Sequence, residues 1–199
     1  MPSKPLRDLR IRPFSVQQSA VQILRSAIVE GRFEPGDRLS EVSLCEMSVR
    51  EALRSLESEK LIEIVANRGP FVRVLSWEEA EDIYKVRALL EGEAAAYMAG
   101  SPTETQLDKL RAAMRAFDAA VASGNATARV TAAGEFYDII YEGAGNRIIQ
   151  EVLTSLLARV AFLRHHSMSR SGRPSESSSE MNRILKAIEA GDAAKARQA

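Results

Sequence analysis

Strand-like alternation comes as a single pair of runs in this 199-residue chain. Leu61-Ile62-Glu63-Ile64-Val65 and Phe71-Val72-Arg73-Val74 flank Asn67-Arg68-Gly69, a composition that reads as a tight hairpin turn. A lone hairpin cannot build a core of its own, so it has to rest on helices. Before and after it the apolar residues recur at helical spacing. The fold class expected is therefore mainly α.

The segment ahead of the hairpin supplies the helices. Residues 15–30 form a first helix, with Val16, Ala20, Ile23, Leu24, Ala27 and Ile28 on its apolar stripe and Gly31 as its stop. Phe33-Glu34-Pro35-Gly36-Asp37 is a turn. Residues 39–47 form a short second helix. Residues 48–60 form a third, opened by the capping box Ser48-Val49-Arg50-Glu51. Val49, Ala52, Leu53 and Leu56 share its inner face, and Arg50 and Arg54 its outer one. Three helices followed by a hairpin is the order of a winged helix-turn-helix, expected over residues 1–75.

Residues 76–199 read as an all-α antiparallel bundle. Ser76-Trp77-Glu78-Glu79 opens a helix to about residue 99, and Thr103-Glu104-Thr105-Gln106 opens the next. The latter places Leu107, Leu110, Met114, Phe117 and Val121 on one stripe. A third helix, about residues 127–142, points Val130, Ala133, Tyr137 and Ile140 inward. Gly143-Ala144-Gly145 ends it, and Asn146 caps a fourth carrying Ile149, Val152, Leu153, Leu156, Val160 and Leu163. A Ser-rich loop over residues 167–179 precedes a fifth helix, capped by Ser177-Ser178-Ser179-Glu180 and bearing Met181, Ile184, Leu185 and Ile188. Gly191-Asp192 ends that helix and caps a last segment. Short loops between successive helices make neighbours antiparallel.

Charge and composition narrow the function class. Lys and Arg balance Asp and Glu at 27 each. Residues 1–75 hold 12 basic and 10 acidic side chains, and the remainder 15 and 17. The sharper feature is an N-terminal arm carrying Lys4, Arg7, Arg10 and Arg12, suited to phosphates or simply to water. No apolar run approaches the roughly 18 residues of a membrane span, and the first residues lack the apolar core of a secretory signal. The single Cys45 excludes an internal disulfide, which places the chain in the cytoplasm.

Three stretches of the first half resemble the reader head of the GntR family. They are Gly31-Arg32-Phe33-Glu34-Pro35-Gly36-Asp37-Arg38-Leu39, Val49-Arg50-Glu51-Ala52-Leu53-Arg54-Ser55-Leu56-Glu57 and Asn67-Arg68-Gly69-Pro70-Phe71-Val72. Three more resemble the helical effector domain of its FadR-like branch, the FCD domain. They are Tyr84-Lys85-Val86-Arg87-Ala88-Leu89-Leu90-Glu91, Gly143-Ala144-Gly145-Asn146 and the run from Ile184 to Asp192. The resemblance covers nearly the whole chain in the family order. It implies a ligand-responsive transcription regulator, a homodimer whose two equal heads read inverted-repeat operators in double-stranded DNA.

The chain departs from that pattern at three places. Met47 runs directly into Ser48, where the family has a turn and the start of the recognition helix. The expectation is that residues are missing there, and also after Ala199. Many relatives hold a metal with an Asp and a His four residues apart and later His residues. The matching positions here are Ala133, Tyr137 and Met181, with the fourth ligand falling beyond Ala199. Those side chains are poor donors for a divalent ion, so no metal cofactor is expected.

The candidate DNA-binding residues are Arg50, Arg54, Arg68, Gly69 and Arg38. Arginine on such a helix can grip guanine through two hydrogen bonds, and Arg beside Gly suits a wing tip in the minor groove. The alternative for Arg50 and Arg54 is an ordinary solvated helix face, and for Arg68-Gly69 a plain tight turn. The candidate effector-binding residues are Arg87, Glu91, Tyr137, Asn146, Met181 and Asn182. Arg87 lies on the inward stripe with Ile83, Leu90 and Ala94, and a buried charge requires a counter-charge. Either Glu91, four residues on, supplies it, or Arg87 lines a cavity for an anionic ligand, as the resemblance implies. Tyr137, Met181 and Asn182 are equally core filler or pocket wall. His165 and His166 are adjacent and cannot chelate as an i, i+4 pair would.

Two other functions compete. A metabolite-binding enzyme would need catalytic groups, and the chain shows no Ser-His-Asp set, phosphate loop or intact metal set. A winged-helix module for protein contacts is the third reading. DNA binding that depends on salt separates the first reading from both.

Overall fold

A computed structural model describes residues 16–29, 31–39, 46–167 and 172–199. Helix α1 (Val16–Val29) and α2 (Glu46–Ser58) precede a hairpin of β1 (Ile62–Val65) and β2 (Gly69–Val72). Six helices follow: α3 (Trp77–Gly100), α4 (Glu104–Ala122), α5 (Ala126–Gly143), α6 (Arg147–Ser167), α7 (Arg173–Glu189) and α8 (Ala193–Gln198). The fold is mainly α, as the spacing predicts.

The head packs α1 against α2 and the hairpin. Ala20, Val21, Ile28, Ala52, Leu56, Leu61, Ile62 and Val72 form its core. Ile62 pairs with Val72 and Val65 with Gly69, antiparallel. Asn67 and Gly69 both take positive φ, at 60° and 91°, which is what closes so short a turn. Arg38 adds a bridge to Phe71, giving the wing a fragment of a third strand. Ile23, expected on the inner stripe, is 65% exposed. The buried stripe of α1 runs instead through Ala20, Val21 and Ile28.

Two expectations here need correction. The helix predicted to start at Ser48 begins at Glu46, so Ser48 is a helical residue and not its cap. Leu39 is non-helical, and Glu46 and Met47 belong to α2, so the second helix predicted over residues 39–47 is not formed at either end. Residues 40–45, Cys45 among them, the basic arm and the side chains of His165 and His166 lie outside the described residues.

The helical half has one core. Ala94, Met98, Leu110, Met114, Phe117, Phe136, Ile140, Leu153, Met181 and Ile188 are among its buried members. Thr103 and Gln106 form the full predicted capping box on α4. Ser76 accepts from the Glu79 amide, but the Glu79 carboxylate turns elsewhere. Asp192 caps α8 through the Lys195 amide. Helix α7 starts at Arg173, four residues before the predicted cap. Ser177 is therefore buried within the helix, and much of the expected Ser-rich loop is helical. Pro174, in the first turn, fixes that start where its missing N–H costs nothing.

Helix α8 lies on α3 with very little clearance. A Cβ on Gly92 would stand 2.6 Å from the Arg197 carbonyl oxygen, and Arg197 holds Glu93 with hydrogen bonds of 2.6 and 3.0 Å. Gly92→Ala should therefore destabilise the helical half by about 1–3 kcal/mol, the usual range for overpacking. A urea denaturation curve indistinguishable from wild type would show that α8 can shift without cost.

Candidate nucleic-acid interface and effector site

On α2, Ala52 and Leu56 are fully buried while Arg50 and Arg54 are exposed one turn apart. The helical period leaves this cationic pair facing outward. At the wing, the Arg68 guanidinium lies 5.1 Å from the centre of the Phe71 ring. A Cβ on Gly69 would meet the Arg38 guanidinium at 3.7 Å. The structure thus brings Arg38, Arg68 and Gly69 together at the hairpin, the Arg38 guanidinium beside Gly69 and the Arg68 guanidinium over the Phe71 ring.

In the helical half, Arg87 is 9% exposed and pairs with Glu91. Its Nε and Nη2 donate to Glu91 Oε1 at 3.2 and 2.7 Å. The Tyr141 hydroxyl donates to the same oxygen at 2.6 Å. Burial opposes the charge on Arg87, but attraction to Glu91 and the hydrogen bonds outweigh it, and the guanidinium pKa is raised. Burial, then the neighbouring Glu91 charge, push the Tyr141 hydroxyl up as well, so it stays a donor. The Arg87–Glu91 pair left open by the sequence is formed.

A chain of aromatic contacts joins this pair to Tyr137 and Phe136. Tyr137 stacks on Tyr141 at 6.2 Å and meets Phe136 edge-on at 5.6 Å. Ala133 and Met181 are buried in the same cluster, with Tyr137 packed against it. Asn182 donates to the Ser178 carbonyl at 3.0 Å, and Ser178 donates to Asp118 at 2.7 Å. The Asn146 carboxamide oxygen caps α6 by accepting from the Ile148 and Ile149 amides, which commits that atom to the helix.

Sequence reasoning missed Tyr141, although it lies one turn after Tyr137 on the same helix. It also missed two buried polar side chains, Arg129 and Ser177. A third omission is an ion-pair triad. Glu79 accepts from Arg73 at 2.9 and 2.7 Å and also from Arg159. Hydrogen bonding to Arg73 is the main reason the Glu79 pKa is lowered.

Ala133, Tyr137 and Met181 by their chemistry do not fit a metal set of carboxylate and imidazole. They present a methyl group, a phenol and a thioether, not the carboxylate and imidazole that a divalent ion favours. Among the described residues no three His, Cys, Asp or Glu side chains gather into a metal-holding group. Nor, among them, is any helix long and apolar enough to cross a membrane.

Comparison with known proteins agrees with this geometry. The sequence model described as "Bacterial regulatory proteins, gntR family" matches residues 16–72, and that of the FCD domain matches residues 82–199. The chain belongs to the GntR family. With a GntR head and an FCD domain it is a transcriptional regulator. The HTH-type regulator YdhC of Bacillus subtilis (strain 168) is 24% identical over 148 residues, 71% of this chain. That match spans 66% of the relative's length. Among solved structures, McbR/YncC of E. coli superposes with a TM-score of 0.80 at 22% identity, covering 93% of this chain and 92% of that one. A putative GntR regulator from Rhodococcus sp. RHA1 does so with a TM-score of 0.77 at 27% identity, over 93% and 91%.

Proposed function

We propose that this GntR-family regulator acts in the cytoplasm as a homodimer on inverted-repeat operators, and that a small organic carboxylate held at Arg87 sets its affinity. The observation that carries the effector reading is the buried Arg87. Among the described residues its hydrogen bonds use only Nε and Nη2, and both end on one Glu91 oxygen that also serves Tyr141. An incoming carboxylate can take the remaining N–H groups or replace Glu91 outright. Tyr137, Met181 and Asn182 supply the apolar and polar wall around an anionic head with an apolar body. The effector acts by binding two dimer arrangements unequally, which shifts the spacing of the heads.

A salt series of gel shifts with palindromic promoter DNA tests the core of this reading. Affinity should fall linearly with salt on logarithmic axes. A protein-contact module would give no shift at any salt.

Dimerisation has its own support. Val86, Leu89 and Tyr97 form one exposed stripe on α3, with Leu89 72% exposed, and Ile148 and Val152 form another on the adjacent α6. Exposed large apolar side chains on two neighbouring helices are candidates for burial in a protein contact. Leu89→Asp should convert a species of twice the chain mass at micromolar concentration into monomer, read by sedimentation. An unchanged dimer would place the interface elsewhere.

The donor chemistry at Ala133, Tyr137 and Met181 also supports a site without a resident divalent ion. Elemental analysis of protein purified without chelator should find less than stoichiometric zinc, nickel or manganese. One tightly held ion per chain would overturn that.

A further inference from the structure

We propose that the cleft between the winged head and α6 is a second small-anion site, separate from the Arg87 pair, which takes a carboxylate with a short apolar body and thereby couples the two domains. The cleft measures about 170 Å³. Its cationic lining is Lys60, Arg73 and Arg159, and among the described residues no acidic side chain lines it. Ile28, Phe33, Leu61 and Val72 of the head and Ala158 and Leu163 of α6 make its apolar walls.

The charges around it are unbalanced. Among the described residues Glu79 is the one carboxylate bonded to both arginines, and Lys60 forms no ion pair. Three cations thus face one anion. The Arg159 Nε is buried and, among the described residues, has no hydrogen-bond acceptor. A buried donor on a charged group calls for one.

Lys60 adds a second signal. It takes φ of 59° at the end of α2, where its amide donates to Glu57 O and the Leu61 amide to Leu56 O. That is the position where a helix ordinarily places glycine, because a Cβ is unfavourable there. The side chain that this strained backbone carries is the one that lines the cleft.

The occupant follows from size and lining. The volume falls well below the roughly 300–1,000 Å³ of pockets for larger ligands, which excludes a nucleotide. One carboxylate can accept from Lys60 beside the Arg73 and Arg159 guanidiniums, while an aromatic ring or short alkyl chain covers Phe33 and Leu163. Lys60 and Phe33 belong to the head and Arg159 and Leu163 to α6. Occupancy therefore fixes the head against the helical half, and linkage carries that into operator affinity.

Calorimetric titration of the full chain with benzoate, hexanoate and inorganic phosphate tests this. Benzoate or hexanoate should bind saturably, and phosphate at least tenfold more weakly. Lys60→Met and Arg159→Met should each weaken carboxylate binding at least tenfold. Arg159→Met also removes a bond to Glu79, so if it fails to fold, Lys60→Met decides alone. Carboxylate binding unchanged in Lys60→Met, or absent from wild type, would overturn the site. Phosphate binding as tight as benzoate would overturn the apolar part of the assignment.

Discussion

Replacing both Arg50 and Arg54 with alanine should lower operator affinity by two orders of magnitude or more. Each arginine is exposed on the face of α2 opposite Ala52 and Leu56. A well-formed arginine–guanine contact contributes roughly 1–3 kcal/mol of discrimination, so each substitution alone is worth about tenfold to a hundredfold. Both side chains are exposed, so the double variant should lose no more than about 1 kcal/mol in denaturation. The two roles an arginine can play are separable. If Arg50 grips a base, Arg50→Ala relaxes preference at one operator position. If it clamps a phosphate, the same variant weakens all sequences alike and lowers the salt slope by about one. Arg50→Lys and Arg54→Lys keep the charge but lose the two-pronged geometry. A base-reading arginine will therefore not be rescued by lysine, and a phosphate-clamping one will be. Operator affinity unchanged in the double variant would remove α2 from the reading surface.

Much of the fold was legible because each helical stripe repeats at one period. Leu107, Leu110, Met114 and Phe117 on α4, and Ile83, Arg87 and Ala94 on α3, are buried as their spacing requires. The errors fall where a short local signal competed with tertiary contacts. Ser48 and Ser177 each carry a capping-box pattern, yet both lie inside helices. Serine tolerates a helix interior well enough that packing of the turn before it decides the start. Glu79 has the right place for the box at Ser76, but Arg73 and Arg159 offer a charged partner where the Ser76 amide offers a neutral one. Arg159 is 80 residues from Glu79, and no periodicity reveals such a pair. The candidate site was half legible for the same reason. Arg87 and Glu91 meet because four residues is one helical turn, while Tyr141 reaches them from another helix.

Glu91→Ala should destabilise the helical half by about 3 kcal/mol. The variant leaves the Arg87 guanidinium without its counter-charge and the Tyr141 hydroxyl without its acceptor. Breaking a buried ion pair by removing one member typically costs 3–5 kcal/mol. The side chains here retain 10% and 18% exposure, which puts the effect at the lower end. Removing both charges has a different outcome, because Arg87→Met with Glu91→Leu leaves no orphaned ion. That double variant should be more stable than Glu91→Ala alone, with a coupling of about 1–3 kcal/mol in a double-mutant cycle. Tyr141→Phe removes one of three donors to Glu91 and should cost about 1 kcal/mol. The same lesion tests the effector reading. With Glu91 gone, Arg87 faces a gap the size of a carboxylate. Added acetate should restore stability to Glu91→Ala in a saturable way while leaving the Arg87→Met/Glu91→Leu protein unmoved. Urea denaturation of the three proteins with and without acetate reads all of this. Glu91→Ala as stable as wild type would mean that water already serves Arg87. A destabilised Glu91→Ala that acetate cannot rescue would mean that the pair is closed to carboxylates and that the effector is held elsewhere.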